Sequence, residues 1–205
     1  MKKWSRTGTF AFALSLLLGL GSAGPANANL ITNGGFETNT LAGWTSSGFV
    51  GTTPWTLCCG AFNSQPVANG TYLAVLGYSD AATNGWLSQT FSTTAGSTYF
   101  LSFDYGAFGS NAQQVTVTAT NSTLGAIVVT DATPTFNRAL LVGSYNYSFT
   151  ATGASSTLTF TDTSGVYVGA LGALDNVSIK VPLPGTVALM ALGLAGFGAA
   201  RRRTA

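Results

Sequence analysis

Apolar and polar residues alternate with a period of two along much of the central part of the chain. Between Tyr99 and Tyr105 the odd positions hold large apolar side chains, whereas Ser102 and Asp104 lie between them. Successive side chains of a β-strand point to opposite faces of a sheet, so the alternation predicts a strand with one dry face and one wet face. The pattern recurs at residues 115–118, 145–150 and 157–161, and further candidate strands are residues 30–32, 71–76, 86–91, 126–130 and 173–180.

Turn-forming residues separate these candidate strands at short intervals. Gly, Asn, Asp or Pro breaks the pattern about every 8–12 residues, and Thr, Ser, Val, Tyr and Phe fill the segments between, which is typical of short antiparallel strands. Helix has almost no room to form. We therefore predict an all-β domain over residues 29–180, an antiparallel two-sheet β-sandwich of eight or nine strands around one core.

The first 28 residues have the composition of a signal peptide. A basic start (Lys2, Lys3 and Arg6) precedes an apolar stretch at residues 10–20 and the small-residue sequence Ala26-Asn27-Ala28. This order predicts that signal peptidase cuts before Asn29 after a signal helix. A retained N-terminal helix is the alternative, and the Gly-Pro-Ala-Asn run at residues 24–27 disfavours it.

The last 25 residues, 181–205, differ from the domain before them. A junction made of Pro182, Leu183, Pro184, Gly185 and Thr186 leads into an uncharged run at residues 186–200, which ends at Arg201, Arg202 and Arg203. Fifteen residues of helix rise only about 22 Å against an apolar slab of about 30 Å, so we predict a short transmembrane helix. By the positive-inside bias the arginines stay cytoplasmic, and everything before Pro182 lies outside.

This tail resembles that of the PEP-CTERM family of bacterial surface proteins, with Leu183 at the position of the family's Glu. The resemblance implies an exosortase-like membrane enzyme that recognises and removes the tail. It also implies a chain exported across the inner membrane, transiently anchored, and then placed at the cell surface or in an extracellular polysaccharide matrix, in association with exopolysaccharide and biofilm. The alternative is an ordinary short membrane anchor.

The formal net charge changes from +2 for the whole chain to a negative value once the two predicted targeting segments are removed. Six of the eight basic residues lie in the targeting segments, which leaves Arg138 and Lys180 against six acidic residues, and residues 29–180 carry 2 minus 6, or −4. A domain with two cations has no basic patch for phosphates. We therefore exclude nucleic acid as a partner.

A second resemblance covers most of the mature domain. Galactose-binding-like and carbohydrate-binding-module jelly rolls have similar sequences in their first, middle and last strands, and the matching segments here are residues 29–37, 43–44, 87–91, 96–104 and 174–179. The resemblance implies a jelly roll in which the first and last strands lie side by side. That arrangement would bring Glu37 towards Asp175.

These two carboxylates are the candidate metal ligands. Asp175 has the strand parity of Val177 and Ile179, so we expect it to face the core, where an unpaired carboxylate is expensive to desolvate. Similar jelly rolls often hold a structural Ca²⁺ between these strands, which implies that Glu37 and Asp175 are side-chain ligands with backbone carbonyls completing the shell. The alternative is that Asp175 caps a turn or accepts hydrogen bonds from the Asn33 and Gly34 amides.

Catalysis finds no support in the sequence. There is no His to activate a nucleophile, and the six acidic residues show no spacing that selects a glycosidase pair. Cys58 and Cys59 are adjacent, and after export they form a strained vicinal disulfide, remain free thiols or bridge to another molecule. We therefore predict that the protein is not an enzyme.

Aromatic residues in loops and at strand ends leave carbohydrate binding open. The candidates are Trp55, Tyr78, Trp86 and Phe108, because sugars stack on aromatic rings while polar neighbours bond their hydroxyls. A non-enzymatic surface or matrix protein with weak or no glycan binding is the first hypothesis, and it predicts buried aromatics. A lectin-like module with a defined glycan ligand is the alternative, and it predicts coplanar exposed aromatics at one site.

Overall fold

The computed structural model describes residues 29–54, 70–77, 85–109, 111–132, 143–165 and 171–181. The predicted signal peptide, the sorting tail from Pro182 onwards, the Cys58–Cys59 pair, Trp55 and Tyr78 all lie outside these ranges. In the part of the chain that is described, no helix is both long enough and apolar enough to cross a membrane.

Ten β-strands build the described domain. Their bounds are β1 (Thr45–Ser47), β2 (Val50–Pro54), β3 (Tyr72–Leu76), β4 (Trp86–Ser92), β5 (Thr98–Phe108), β6 (Gln113–Ala119), β7 (Ile127–Asp131), β8 (Gly143–Thr150), β9 (Ser155–Asp162) and β10 (Leu171–Lys180). They form two five-stranded sheets: sheet A in the order β1-β4-β9-β6-β7, and sheet B in the order β2-β3-β10-β5-β8. Every strand pairing is antiparallel. The predicted two-sheet antiparallel sandwich is confirmed.

The alternating segments supply the core between the sheets. In β6, Val115 and Val117 are buried and Thr116 between them is not, while in β9 the side chain of Phe160 is completely buried. The Phe160 ring meets Phe103 from sheet B edge-on, with 5.2 Å between ring centroids. Each such side chain contributes about 1.5–3 kcal/mol when it leaves water. The apolar face of each strand therefore decides which way its sheet faces.

The N-terminal segment lies beside the last strand, as predicted. The Leu30 amide donates to the Ile179 carbonyl over 2.9 Å, and the Val177 amide donates to the Gly34 carbonyl over 2.9 Å. The segment forms turns rather than the expected strand at residues 30–32. A side chain replaces part of the missing ladder, because the Gln89 amide group accepts from the Thr32 N–H over 2.7 Å and donates to its carbonyl over 2.9 Å.

A β-bulge in β10 overturns the expected orientation of Asp175. Asp175 pairs with Asp104 and Ser178 pairs with Ser102, so two residues of β10 face the single residue Phe103. Asn176, at the bulge, adopts a left-handed conformation with φ of 52°. The extra residue switches the parity of the strand. Val177 therefore faces the core while Asp175, expected beside it, lies on the outer face of sheet B.

A small second apolar cluster covers part of that outer face. Leu73, Val75, Leu171 and Ala173 are buried there, and Phe108 packs against them while remaining partly exposed. Ala173 is the last residue of this cluster on β10, and Asp175 is the next residue of the strand on the same face. The outer face of sheet B thus passes from an apolar patch to a carboxylate pair and then to the polar residues at the far end of β10.

Candidate functional site

Two carboxylates lie opposite each other on the outer face of sheet B. Asp175 and Asp104 are register partners on β10 and β5, and Asp175 is 0% exposed. One oxygen of Asp175, Oδ1, accepts a hydrogen bond from the Asn176 amide over 2.7 Å. The other, Oδ2, is buried and has no hydrogen-bond partner among the residues that the structure describes. A buried carboxylate oxygen in this condition is costly and calls for a proton or a cation.

Asp104 differs from Asp175 because both of its oxygens are satisfied. Oδ2 accepts from the Asn176 side-chain amide over 2.6 Å, and Oδ1 accepts from the Ser144 hydroxyl. Asn176 thus donates its backbone N–H to Asp175 and its side-chain amide to Asp104. These contacts leave Asp175 Oδ2 as the unsatisfied group of the pair.

Glu37 approaches the same place from the N-terminal segment. Its exposed carboxylate accepts from the Thr71 amide over 2.9 and 3.0 Å and from the Tyr72 amide over 3.1 Å, which holds the start of β3. Gly35 separates it from Asp175, since a Cβ built on Gly35 would lie 3.9 Å from both Asp175 Oδ1 and Glu37 Cγ. The structure therefore brings Glu37 and Asp175 to opposite sides of one glycine.

The electrostatics of the pair follow from this packing. Burial raises the pKa of the Asp175 carboxyl from its ordinary 3.8 to about 7; the hydrogen bond from the Asn176 amide opposes the rise, and the negative charges of Asp104 and Glu37 add to it. The donor to Asp175 is thus the Asn176 amide rather than the Asn33 and Gly34 amides considered above. A carboxyl of this kind either takes up a proton near neutral pH or stays ionised by binding a cation.

Side chains alone do not complete a metal shell here. No group of three His, Cys, Asp or Glu residues lies close enough to hold a metal within the described ranges. A Ca²⁺ at Asp175 would therefore need backbone oxygens or water for most of its six to eight ligands. Oxygen-only ligands of this type suit calcium rather than a transition metal.

A groove crosses the far end of the same face. Phe100 and Ser102 on β5, Asn146 and Ser148 on β8, and Lys180 on β10 line it together with Leu101 and Tyr147, around an open volume of about 450 Å³. Phe100 is 50% exposed and presents part of its ring to the groove. We call this the Phe100 groove.

Sequence reasoning missed Phe100 although a signal was present. In the alternating segment from Tyr99 to Tyr105, the wet positions are Phe100, Ser102 and Asp104, so a phenylalanine occupies a position where the pattern calls for a polar side chain. The groove itself depends on β8 and β10, whose polar residues become neighbours of Phe100 only in the folded sheet.

Of the aromatic residues that the sequence singled out, the structure describes Trp86 and Phe108. Trp86 is partly exposed at the start of β4 in sheet A, whereas Phe108 ends β5 in sheet B and packs on the apolar cluster. They lie on the outer faces of different sheets and form no common platform. Trp55 and Tyr78 lie outside the described residues, so a platform that includes them stays a prediction.

Comparison with known proteins identifies the tail and the fold. Residues 180–203 match the family model of the PEP-CTERM protein-sorting motif. No curated protein sequence matches the chain.

Three solved structures resemble the sandwich. The carbohydrate-binding module TmCBM61 in complex with β-1,4-galactotriose is 18% identical with a TM-score of 0.54, covering 75% of this chain and 99% of that one. The arabinose-bound α-L-arabinofuranosidase MgGH51 is 15% identical with a TM-score of 0.54, over 77% of this chain and 27% of that one. Tailspike protein 4 of bacteriophage CBA120 is 15% identical with a TM-score of 0.50, over 75% and 21%. At these identities the likeness is one of fold. The chain therefore carries a PEP-CTERM protein-sorting motif behind a β-sandwich with the fold of a carbohydrate-binding module.

Proposed function

We propose that this exported, sorted protein is a non-enzymatic polysaccharide-binding module of the cell surface or extracellular matrix, and that the Phe100 groove is its sugar site. The observation that carries the proposal is the half-exposed Phe100 ring in a groove that is also lined by hydroxyl, amide and amine side chains. A half-exposed aromatic side chain favours the lectin-like hypothesis over the passive-matrix hypothesis, which predicts buried aromatics.

The chemistry of the groove suits a sugar ring. A pyranose has an apolar face of C–H groups, which packs on an aromatic ring, and hydroxyls around its edge that need hydrogen-bond partners. Ser102 and Ser148 supply hydroxyls that donate and accept, Asn146 supplies a side-chain amide, and Lys180 supplies an ammonium donor. The open shape allows a polymer to cross the groove rather than end in it.

Burial of the carboxylate pair supports a role in binding rather than hydrolysis. A glycosidase needs two carboxyl groups that both reach the scissile bond. Asp104 and Asp175 are the acids that the fold places opposite each other, yet Asp175 is fully buried and both are fixed by Asn176. Because Asp175 is fully buried, this pair is out of reach of a glycosidic bond.

We further propose that Asp175, with Glu37 across Gly35, holds a structural Ca²⁺. The unpartnered Oδ2 of Asp175 and the negative charges around it favour a cation. Bound calcium would supply positive charge to a buried carboxylate and tie β10 to the N-terminal segment. The residues present fit the ion only if backbone oxygens or water complete its shell.

Binding of soluble polysaccharides by the sandwich tests the sugar site. Both apolar clusters lie within residues 31–179, so a chain of residues 29–181 contains its own core. β-1,4-Galactan is the first probe, because the similar module TmCBM61 was crystallised with β-1,4-galactotriose, followed by other neutral and acidic polymers.

Phe100→Ala is expected to weaken binding at least tenfold, as truncation of a central aromatic anchor does. The matched control is Val128→Ala, which truncates a 54% exposed apolar side chain on sheet A and should leave affinity unchanged. Absence of saturable binding to any polymer, or equal affinity of the Phe100→Ala variant and the unaltered domain, would exclude this site.

A further inference from the structure

Strand β8 forms one outer edge of sheet B, and β5 pairs with it along its whole length on the other side. Thr150 shows which backbone groups point outwards: its amide donates to the Thr123 hydroxyl and its carbonyl accepts from the Thr123 amide, each over 2.9 Å. Backbone groups two residues apart on a strand point to the same side. Ser144, Asn146 and Ser148 therefore also direct their N–H and C=O groups away from β5.

These three residues leave the outer side of β8 open for pairing. Ser144, Asn146 and Ser148 are all exposed. Within the described ranges, none of their outward N–H and C=O groups has a hydrogen-bond partner. A row of unpaired backbone donors and acceptors is a template for another strand.

β8 also lacks the features that usually protect an edge strand. Proteins shield such strands with charged side chains, prolines, bulges or a very short length. Among the other edges of the two described sheets, β1 has three residues, β2 ends at Pro54 and β7 ends at Asp131. β8 has eight residues, with no charge, no proline and no break in its register with β5. Of the four edges, β8 is therefore the one best suited to accept a strand.

The sequence of β8 is complementary to itself. When two copies meet about a two-fold axis at Asn146, each Asn146 lies opposite the other, and Ser144 lies opposite the partner's Ser148. These are hydrogen-bonded pairs of an antiparallel ladder, so every outward group of the three residues finds a partner. No charges meet in this pairing, although residues 29–180 carry a net negative charge.

The inner face of β8 favours the same partner. Tyr145 and Tyr147 pack against the core but stay partly exposed, with ring centroids 5.4 and 6.2 Å from that of Phe103. In the two-fold arrangement Tyr145 lies opposite the partner's Tyr147 in a non-hydrogen-bonded pair, where the side chains are closest. Aromatic pairs across strands stabilise a sheet. A second copy thus covers two tyrosines that the single domain leaves partly in water.

We propose that the protein forms a two-fold symmetric dimer in which β8 pairs with β8 of a second copy, so that the two B sheets become one ten-stranded sheet. Such a pairing uses the same surface on both copies and closes on itself. The partner's Asn146 continues the Phe100 groove beyond Asn146, and the two Phe100 rings lie on one face about 20 Å apart at the usual strand spacing. Only this joined groove rests on the proposed sugar-binding function.

Sedimentation equilibrium of residues 29–181 measures the association, with Cys58→Ser and Cys59→Ser present to prevent disulfide-linked dimers. We expect the dimer to predominate at about 100 μM. Asn146→Lys places two ammonium groups opposite each other on the axis and should weaken association at least tenfold. The matched control is Ser92→Lys, which adds the same charge at an exposed position on the outer face of sheet A and should leave association unchanged. Melting curves of both variants check that each is folded.

Cysteine cross-linking tests the register. Residues directly opposite in a hydrogen-bonded pair have Cα atoms about 5.5 Å apart, within reach of a disulfide, whereas residues displaced by four positions are more than about 13 Å apart. In the same background, Asn146→Cys should form disulfide-linked dimers at least tenfold faster than Ser148→Cys. A monomer at all concentrations, equal association of the two lysine variants, or equal cross-linking at positions 146 and 148 overturns the proposal.

Polymer binding separates the dimer from the proposed sugar site. If the domain is monomeric and binds a polysaccharide, the sugar site stands and the dimer is wrong. If the domain is a dimer with the expected register and binds no polymer, the dimer stands and the sugar site is wrong.

Discussion

Replacing Asp175 by Asn removes a buried negative charge and leaves the shape of the side chain unchanged. In the absence of calcium, Asp175 is a fully buried carboxyl with one unpartnered oxygen, beside Asp104 and Glu37 and without a described cation nearby. The neutral amide avoids the cost of this charge. We therefore expect Asp175→Asn to stabilise the calcium-free domain at a pH where the wild-type carboxyl would be ionised.

The sign and size of the effect follow from the pKa of Asp175. Because the pKa in the folded state is about 7 and the ordinary value is 3.8, the folded state holds a proton that the unfolded state has lost between these pH values. Stability of the wild-type domain therefore falls as pH rises from about 4 to about 7, and stays low above that. A difference of about three pKa units corresponds to at most about 4 kcal/mol.

Calcium should reduce this difference in stability between Asp175→Asn and wild type. A bound cation favours the ionised carboxylate, so wild type should gain stability from Ca²⁺ at pH 8 and Asp175→Asn should not. At a free calcium concentration one hundred times the dissociation constant, the gain is about 2.7 kcal/mol. A difference of 2 kcal/mol in a domain of this size moves the melting temperature by about 4–8 °C.

Thermal unfolding at pH 4.5, 6 and 8, in EDTA and in calcium, measures both effects. The control is Ser178→Ala, which removes the other buried side-chain oxygen that lacks a partner in the described part of the chain. Serine carries no titratable group, so the effect of this substitution should not vary with pH. The reasoning fails if wild type in EDTA is as stable at pH 8 as at pH 4.5, or if Asp175→Asn is the less stable protein at pH 8 in EDTA.

Two further substitutions test how the N-terminal segment is held. Gly34→Ala places a Cβ 2.0 Å from the Val177 carbonyl oxygen and should cost more than about 2 kcal/mol in denaturant unfolding, whereas Gly51→Ala, with no atom within 4 Å of the new Cβ, should change stability by less than about 0.5 kcal/mol. Gln89→Ala leaves the Thr32 N–H and carbonyl unpaired and should cost about 2 kcal/mol, and the loss should appear as faster amide hydrogen exchange at Thr32. Equal stability of the two glycine variants, or unchanged exchange at Thr32, would contradict this account.

The positions of the longer strands were readable from the order of residues, whereas the strands β1 and β2 were not predicted. A period of two is a local property, and each alternating segment carries its own apolar face, so β5, β6, β8 and β9 were predictable one at a time. Charge was also readable, because cations crowd into the two ends of the chain. The sorting tail was recognisable for the same reason, since its proline junction, apolar run and arginines are contiguous.

The alternating pattern gave the wrong orientation for Asp175 because of the bulge at Asn176. A period-two argument assigns Asp175 the face of Val177, and one inserted residue reverses that assignment. Nothing in the residues 174–179 by themselves signals the insertion, because it depends on which residues of β5 lie opposite. The environment of Asp175 was therefore beyond sequence reasoning, while its closeness to Glu37 was not.

The surfaces that several strands build together also separate what the sequence determined from what the tertiary structure decided. Thr90 and Thr157, far apart in the chain, become hydroxyl partners 2.8 Å apart on sheet A, and Phe100 meets Lys180 across sheet B. Alternation determined that each of these residues would face outwards from its own strand. Only the pairing of strands, a long-range property set by register and packing, decided which of them share a surface.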